Sequence, residues 1–314
     1  MAKVLFIDSN HPILHETLVR AGITCDLNYS WTLEEILQHI DLYDGIVIRS
    51  RIYLGKDLID KGSRLKFIAR AGAGMENIDV AYAESKGIRC LNSPEGNKDA
   101  VAEHALGMLL GLFNNLCRVN HQVRDGLWIR EKNRGIELMG KTVGLFGYGN
   151  MGMAFAQRLS GFGVTVLAYD KYKTHFSDAF ATACSLEKLQ QDCDVLSLHL
   201  PLTTETEYLA DASFFDSFSK NIFLINTSRG KIVRTADLIR KLQSGKIQGA
   251  CLDVLEYESG SFENLAEIKN KPDFQFLIQS EKVMLSPHIA GWTQESHVKI
   301  ASVLAKKILD LLAL

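Results

Sequence analysis

The chain has 314 residues, enough for two domains each with its own core. Its 46% apolar and 23% charged residues are those of an ordinary globular protein, and a formal net charge of −2 excludes the broad basic surface that nucleic acid or an anionic membrane requires. No apolar run reaches the length of a membrane span, and the start of the chain reads as a short strand, with no signal peptide. Six cysteines without C-x-x-C spacing read as small buried hydrophobes, so a reducing, cytoplasmic compartment is expected.

In chain order, residues 4–8 read as a strand and residues 12–21 as a helix ended by Gly22. A helix over 33–40 precedes strands at 45–48 and 65–69. A glycine-rich turn at 71–74, a helix over 79–85 and a strand over 88–92 follow. Repeated βα units of this kind predict a parallel sheet with helices on both faces. One long helical pattern then runs from Asp99 through Leu116 to about Val123.

The segment 141–152 is the most informative. Val143 to Phe146 read as a buried strand, Gly147, Gly149 and Gly152 follow directly, and a helix covers 153–159. A second apolar strand, 164–169, ends at Asp170. This is the βαβ dinucleotide fingerprint. Gly147 serves the tight turn, Gly149 lets the backbone approach a pyrophosphate, and Gly152 lets helix and strand pack closely. The helix N-terminus offers free N–H groups to phosphate. Asp170 is placed to accept from the ribose hydroxyls of NAD and to repel the extra phosphate of NADP, with Lys171 and Lys173 softening that repulsion.

Further strands are expected at 195–200, 222–226, 249–254 and 283–286, with a closing helix over 300–312. The reading is α/β, with two doubly wound parallel-sheet domains. A Rossmann NAD-binding domain (98–287) is inserted into a smaller flavodoxin-like substrate-binding domain formed by 1–97 and 288–314.

Hydride transfer from an alcohol to NAD needs a group for the substrate carboxylate, a base for the hydroxyl proton and a partner that tunes the base. Three residues just beyond strand ends supply the types: Arg229 with its rigid donor fork, His288, and Glu258, whose charge favours an imidazolium. Each has a structural reading when taken singly, and their shared position raises all three. The remaining histidines, His199 at a strand end among them, read as structural, and none has metal-ligand spacing, so no metal is expected.

These residues resemble the D-isomer-specific 2-hydroxyacid dehydrogenases, and within them the D-3-phosphoglycerate dehydrogenases of serine biosynthesis. The blocks that carry the resemblance are 71–79, 100–104, the fingerprint, 226–230, 250–254 and 287–291. The resemblance implies that Arg229 polarises the substrate and that His288, paired with Glu258, is the acid/base. It implies that Asp253 contacts the nicotinamide, with Thr227, Ser228, Ala290 and Gly291 lining its pocket. Asn150 and Met151 then meet the pyrophosphate, and Leu200 and Pro201 border the adenosine. Ala73 and Gly74 cradle the substrate carboxylate, while Arg49, Ser50 and Arg70, with Arg51 nearby, lie toward the substrate's far end. Arg130 approaches the site of a partner subunit in a homodimer built on the helix that follows Ala100.

The sequence departs from this pattern in three places. Ser259-Gly260 stands where the family has proline after the glutamate, and the segment 260–282 is long, which leaves Glu256 as an alternative to Glu258. Trp292 replaces a small residue and narrows the pocket. With nothing after Leu314, a short form without the regulatory domain of longer relatives is expected. The competing activities are hydroxypyruvate or glyoxylate reduction, and, in a different class, an NAD(H)-sensing corepressor-like interaction module.

Overall fold

The structure is a computed structural model that describes residues 2–258 and 269–313. Ser259, Gly260 and the first part of the long segment lie outside the described residues. The chain forms two compact units, Met1–Lys98 with Trp292–Leu314, and Asp99–Gly291. The expected divisions stood at 97/98 and 287/288, so the turn carrying His288 falls within the second unit.

In the first unit, strands β1 (Lys3–Phe6), β2 (Thr24–Leu27), β3 (Gly45–Ile48), β4 (Phe67–Arg70) and β5 (Arg89–Leu91) form a parallel sheet of order β2-β1-β3-β4-β5. That is the flavodoxin-like order. Alternation along β1 explains the two layers. Val4 and Phe6 meet Leu14 and Leu18 of α1 (Pro12–Arg20) and Ala301, Leu304 and Ile308 of α12 (Gln294–Leu312). Leu5 and Ile7 face the other way, toward Ile36 of α2 (Leu33–His39), Leu58 of α3 (Lys56–Lys61) and Ala83 of α4 (Val80–Ser85).

Two expectations for this unit need correction. The last helix starts at Gln294, well before residue 300, because Thr293 and Ser296 form a capping box. Strand β2 escaped prediction because it is a sheet-edge strand whose four residues are all partly or fully exposed, which leaves no alternation to read.

The second unit carries β6 (Thr142–Phe146), β7 (Thr165–Tyr169), β8 (Thr182–Ala183), β9 (Val195–Leu198), β10 (Ile222–Asn226), β11 (Ile247–Leu252) and β12 (Val283–Leu285). The parallel order is β12-β11-β10-β9-β6-β7-β8. Chain direction through the sheet reverses between β6 and β9, the switch point at whose carboxyl ends ligands bind in such sheets. On one face α5 (Lys98–Phe113) and α7 (Asn150–Leu159) cover Val143 and Leu145. On the other, α8 (Leu186–Asp192), α9 (Ala212–Asp216), α10 (Thr235–Ser244) and α11 (Pro272–Gln279) cover Leu196, Leu198 and Leu224.

The long helix expected from Asp99 to about Val123 is two helices. It breaks at Asn115, which adopts φ 55°, and resumes as α6 (Leu116–Arg124), none of whose residues is buried. Asparagine is among the few residues that reach the left-handed region at small cost. Among the described residues no helix is long and apolar enough to cross a membrane.

Candidate active site

The functional side chains of the second unit stand at the carboxyl ends of consecutive strands. After β6 the chain turns at Gly147 with φ 98°, and a Cβ there would lie 2.4 Å from the His199 carbonyl oxygen. A Cβ on Gly152 would lie 2.3 Å from the Gly147 carbonyl oxygen, so α7 crosses the strand end at a distance only glycine permits. A Cβ on Gly149 would meet nothing within 4 Å. The loop therefore offers an open backbone surface beside Asn150 and Met151 in the first turn of α7. Leu200, after β9, is half-buried beside Gly147, and exposed Pro201 follows it.

Asp170, at the end of β7, accepts from the backbone N–H of Tyr148 at 2.9 Å and of Tyr172 at 3.0 Å. It thereby ties the second strand to the glycine turn. The neighbouring cations are engaged: Lys171 pairs with Glu205, and Lys173 donates to the Tyr148 carbonyl oxygen at 2.6 Å.

After β10, Asn226 organises the turn that presents Arg229. Its side-chain oxygen accepts from the N–H and hydroxyl of Ser228 at 3.1 and 2.7 Å, and its amide donates to the Arg229 carbonyl oxygen at 3.0 Å. The Arg229 guanidinium donates to the Ser228 carbonyl oxygen at 2.6 Å. Thr227 is buried, and its hydroxyl has no hydrogen-bond partner among the described residues. A buried hydroxyl without a partner is costly unless a ligand satisfies it.

Glu258 and His288 meet. Glu258 Oε2 lies 2.6 Å from His288 Nδ1, with side chains 16% and 26% exposed, so the pair is sheltered yet reachable. The other oxygen, Oε1, accepts from the Leu255 N–H, and the Glu258 N–H donates to the Leu255 carbonyl oxygen at 3.2 Å. Both carboxylate oxygens are thus held without the usual proline at 259. Glu256 is engaged elsewhere: its carboxylate accepts from the Thr235 N–H at 2.9 Å, at the start of α10. Of the two glutamates, it is Glu258 that meets His288.

His288 itself stands at φ 55°, a conformation that costs a non-glycine residue roughly 1–2 kcal/mol. Asp253, 1% exposed, offsets that cost. Its backbone oxygen accepts from the His288 N–H at 2.8 Å. Its carboxylate accepts from the N–H groups of Ile289 and Ala290, each at 2.9 Å, and from the Ser286 hydroxyl at 2.6 Å. His104 on α5 completes the set, with Nε2 at 2.9 Å from the Ser286 hydroxyl and 3.6 Å from Asp253. Sequence reasoning missed this role, and the only signal was a histidine set among the buried apolar residues of α5. Ala290 is buried, and Gly291 ends the unit.

The first unit has its own cluster at the ends of β3 and β4. Arg70 Nε donates to the Arg49 carbonyl oxygen at 3.1 Å, as does the Asn77 side chain at 3.1 Å, and Ser50 follows Arg49. The Arg70 guanidinium lies against Gly72, where a Cβ would stand 2.0 Å away. Asn92 donates to the Ala73 carbonyl oxygen at 2.6 Å and fixes the loop that leads to Gly74. Arg51 is used internally, donating to Asp8 and to the carbonyl oxygens of Ile7 and Trp31. Arg130 is exposed in the second unit, just ahead of a short 3₁₀ turn.

Residues 106–290 match the model of the D-isomer specific 2-hydroxyacid dehydrogenase NAD-binding domain. The chain belongs to this family. It is accordingly an NAD-dependent oxidoreductase with a Rossmann cofactor domain. The chain is 34% identical over 275 residues to a hydroxypyruvate reductase of Thermotoga maritima, covering 88% of this chain and 87% of that one. It is also 34% identical to a D-3-phosphoglycerate dehydrogenase of Synechocystis, covering 99% of this chain and 54% of the relative. The chain thus spans about half the length of that phosphoglycerate dehydrogenase. The D-lactate dehydrogenase of Aquifex aeolicus, solved with NAD and lactic acid, superposes with a TM-score of 0.83 at 27% identity, covering 99% of this chain and 95% of that one. As a member of the family the chain fits NAD on its own geometry: an open glycine loop at a helix N-terminus, a carboxylate after β7, and the unpartnered Thr227 hydroxyl.

Proposed function

We propose that this dehydrogenase interconverts D-3-phosphoglycerate and 3-phosphohydroxypyruvate in the cytoplasm, the entry step of serine biosynthesis. Gly147, Gly149, Asn150, Met151 and Gly152 would hold NAD, which when bound would accept the hydride that leaves C2 of the substrate. Asp170 receives the adenosine ribose, with Leu200 and Pro201 against the adenine and Thr227 and Ala290 toward the nicotinamide. Arg229 holds the substrate carboxylate and draws electron density from the carbonyl oxygen, since a guanidinium donates in a planar fork. In the first unit, Ala73 and Gly74 offer backbone N–H groups suited to a carboxylate. His288 exchanges the hydroxyl proton at Nε2, because Nδ1 faces Glu258 and carries the other proton. Glu258 holds the ring in that tautomer and balances the imidazolium that forms.

The observation that carries the phosphorylated substrate is the pairing of Arg49 and Arg70, fixed to each other through the Arg49 carbonyl oxygen at 3.1 Å. Two arginines at the ends of neighbouring strands suit a dianionic phosphate, to which guanidinium groups donate strong charge-assisted bonds. The second reading, hydroxypyruvate reduction, draws on the Thermotoga maritima relative, whose length this chain matches. Self-association is part of the proposal. Helix α6, none of whose residues is buried, and the loop after it present Leu116, Val123, Leu127 and Trp128 to solvent, an apolar face suited to a second copy that would also bring Arg130 toward its neighbour. The six free cysteines suit a reducing compartment.

The test is NADH oxidation by the purified protein with phosphohydroxypyruvate, hydroxypyruvate and glyoxylate. The proposal expects kcat/KM for phosphohydroxypyruvate at least ~10-fold above the other two, the minimum return on a charge-assisted phosphate contact. Equal or higher values for hydroxypyruvate transfer the assignment to the second reading.

A further inference from the structure

Trp292, where the resemblance leads one to expect a small residue, is 64% exposed. A large indole left in solvent gains little from folding. The Arg49 guanidinium carbon lies 4.6 Å from the centre of its ring. The ring also stacks on His297 in the first turn of α12, with centroids 6.2 Å apart and planes 22° apart. His297 meets His11 edge to face at 5.2 Å, and His11 caps α1 by accepting from the Ile13 N–H at 3.3 Å. The indole thus rests on His297 at the N-terminus of α12, which in turn meets His11 at the N-terminus of α1. Burial, with His11 and Arg49 nearby, holds His297 below the ordinary histidine range. That direction favours the neutral ring over a second cation beside Arg49.

The backbone of Arg49 is fixed independently of Trp292. Its N–H donates to Asp8 at 2.5 Å, and its carbonyl oxygen accepts from Arg70 and Asn77 at 3.1 Å each. What the indole governs is the orientation of the guanidinium. A guanidinium stacks by its face and donates by its edge, so a ring beneath it fixes the plane in which its N–H groups donate. Orienting a flexible side chain in advance removes part of the ordering cost of binding.

We propose that Trp292 is a positioning residue that braces Arg49 for the anionic tail of the substrate and so sets preference for phosphorylated over tail-less 2-keto acids. This rests on the reading that Arg49 binds the phosphate. The experiment is steady-state kinetics of Trp292→Ala, Trp292→Phe, Arg49→Ala and the Trp292→Ala/Arg49→Ala double variant, each with phosphohydroxypyruvate and with glyoxylate.

Trp292→Ala is expected to raise KM for phosphohydroxypyruvate ~5–10-fold more than KM for glyoxylate, with the effect on KM and not on kcat. Trp292→Phe should restore most of the loss, because a phenyl face also carries a guanidinium. In the Arg49→Ala background the removal of Trp292 should add nothing. Equal KM changes for both substrates, or the same Trp292→Ala effect without Arg49, overturn the bracing role and make Trp292 a packing or direct contact residue. If Arg49→Ala raises KM selectively and Trp292→Ala does not, this proposal fails while the phosphate reading stands. If Arg49→Ala has no selective effect, both fall.

Discussion

Two turns of the second unit reach positive φ by opposite means. After β6 it is Gly147 at φ 98°, a residue for which that conformation is unstrained. After β12 it is His288 at φ 55°, held in place by five bonds from Asp253, its neighbours and Ser286. The first turn must let backbone and ligand come close, so a side chain is dispensed with. The second must present an imidazole, so the strain is accepted and a buried carboxylate holds it. The comparison teaches where substitution acts: directly on contact at the glycine turn, and through a hidden support at the histidine turn.

After replacement of His288 itself, breaking the support gives the largest expected effect on these turns. Asp253→Asn keeps the shape but sets an N–H₂ group against the N–H groups of Ile289 or Ala290, a buried mismatch of about 1–3 kcal/mol. We expect kcat to fall roughly 10–100-fold, with NADH affinity, read by fluorescence titration, changed only a few-fold. An unchanged kcat means that the His288 turn holds itself. Asp170→Ala probes the glycine turn. It removes the carboxylate that accepts from Tyr148 and repels a ribose phosphate, and Lys171 and Lys173 are already engaged. The NAD-over-NADP ratio of kcat/KM should narrow by roughly 10-fold, and an unaltered ratio removes Asp170 from cofactor choice.

The smallest effect concerns His199, packed on Phe155 with Nε2 at 2.9 Å from Ser197 and with its backbone against the glycine turn. Burial lowers it from an ordinary 6.5 to about 4. The unfolded chain therefore binds the extra proton between these values and the folded chain does not. Its contribution to stability is complete above about 6.5 and is lost as pH falls toward 4, and between pH 7 and pH 5 the loss is about 2 kcal/mol. Urea midpoints at pH 7 and pH 5 should differ in this sense, and His199→Gln should flatten the difference. A slope that survives the substitution assigns it to other groups.

The glycine turn was legible because its requirements are written as residue types at fixed spacing between two apolar runs. The histidine turn was legible only at its tip. Arg229, Glu258 and His288 could be picked out as polar residues just past strand ends. The support could not: Asp253 was read as a nicotinamide contact, and its bonds to Ser286 and the His288 turn, with His104 beside them, join separate stretches of chain by packing alone. Glu258 and Glu256 were equivalent on paper. What separates them is that Glu256 turns back to the start of α10, a helix the sequence reading passed over. The break at Asn115 was hidden for a related reason. Apolar spacing continues across it, and a single asparagine absorbs the change of direction.

The central claim is that the His288–Glu258 pair moves the substrate proton and does not build the cofactor site. It is tested most directly by measuring NADH binding and phosphohydroxypyruvate turnover on the same preparation of His288→Asn, with Glu258→Gln beside it. The account predicts turnover lower by roughly 10²–10⁴-fold in His288→Asn, a smaller loss in Glu258→Gln, and NADH dissociation constants within a few-fold of the parent for both. Turnover that stays within a few-fold of the parent, or NADH binding that is lost along with it, contradicts the account.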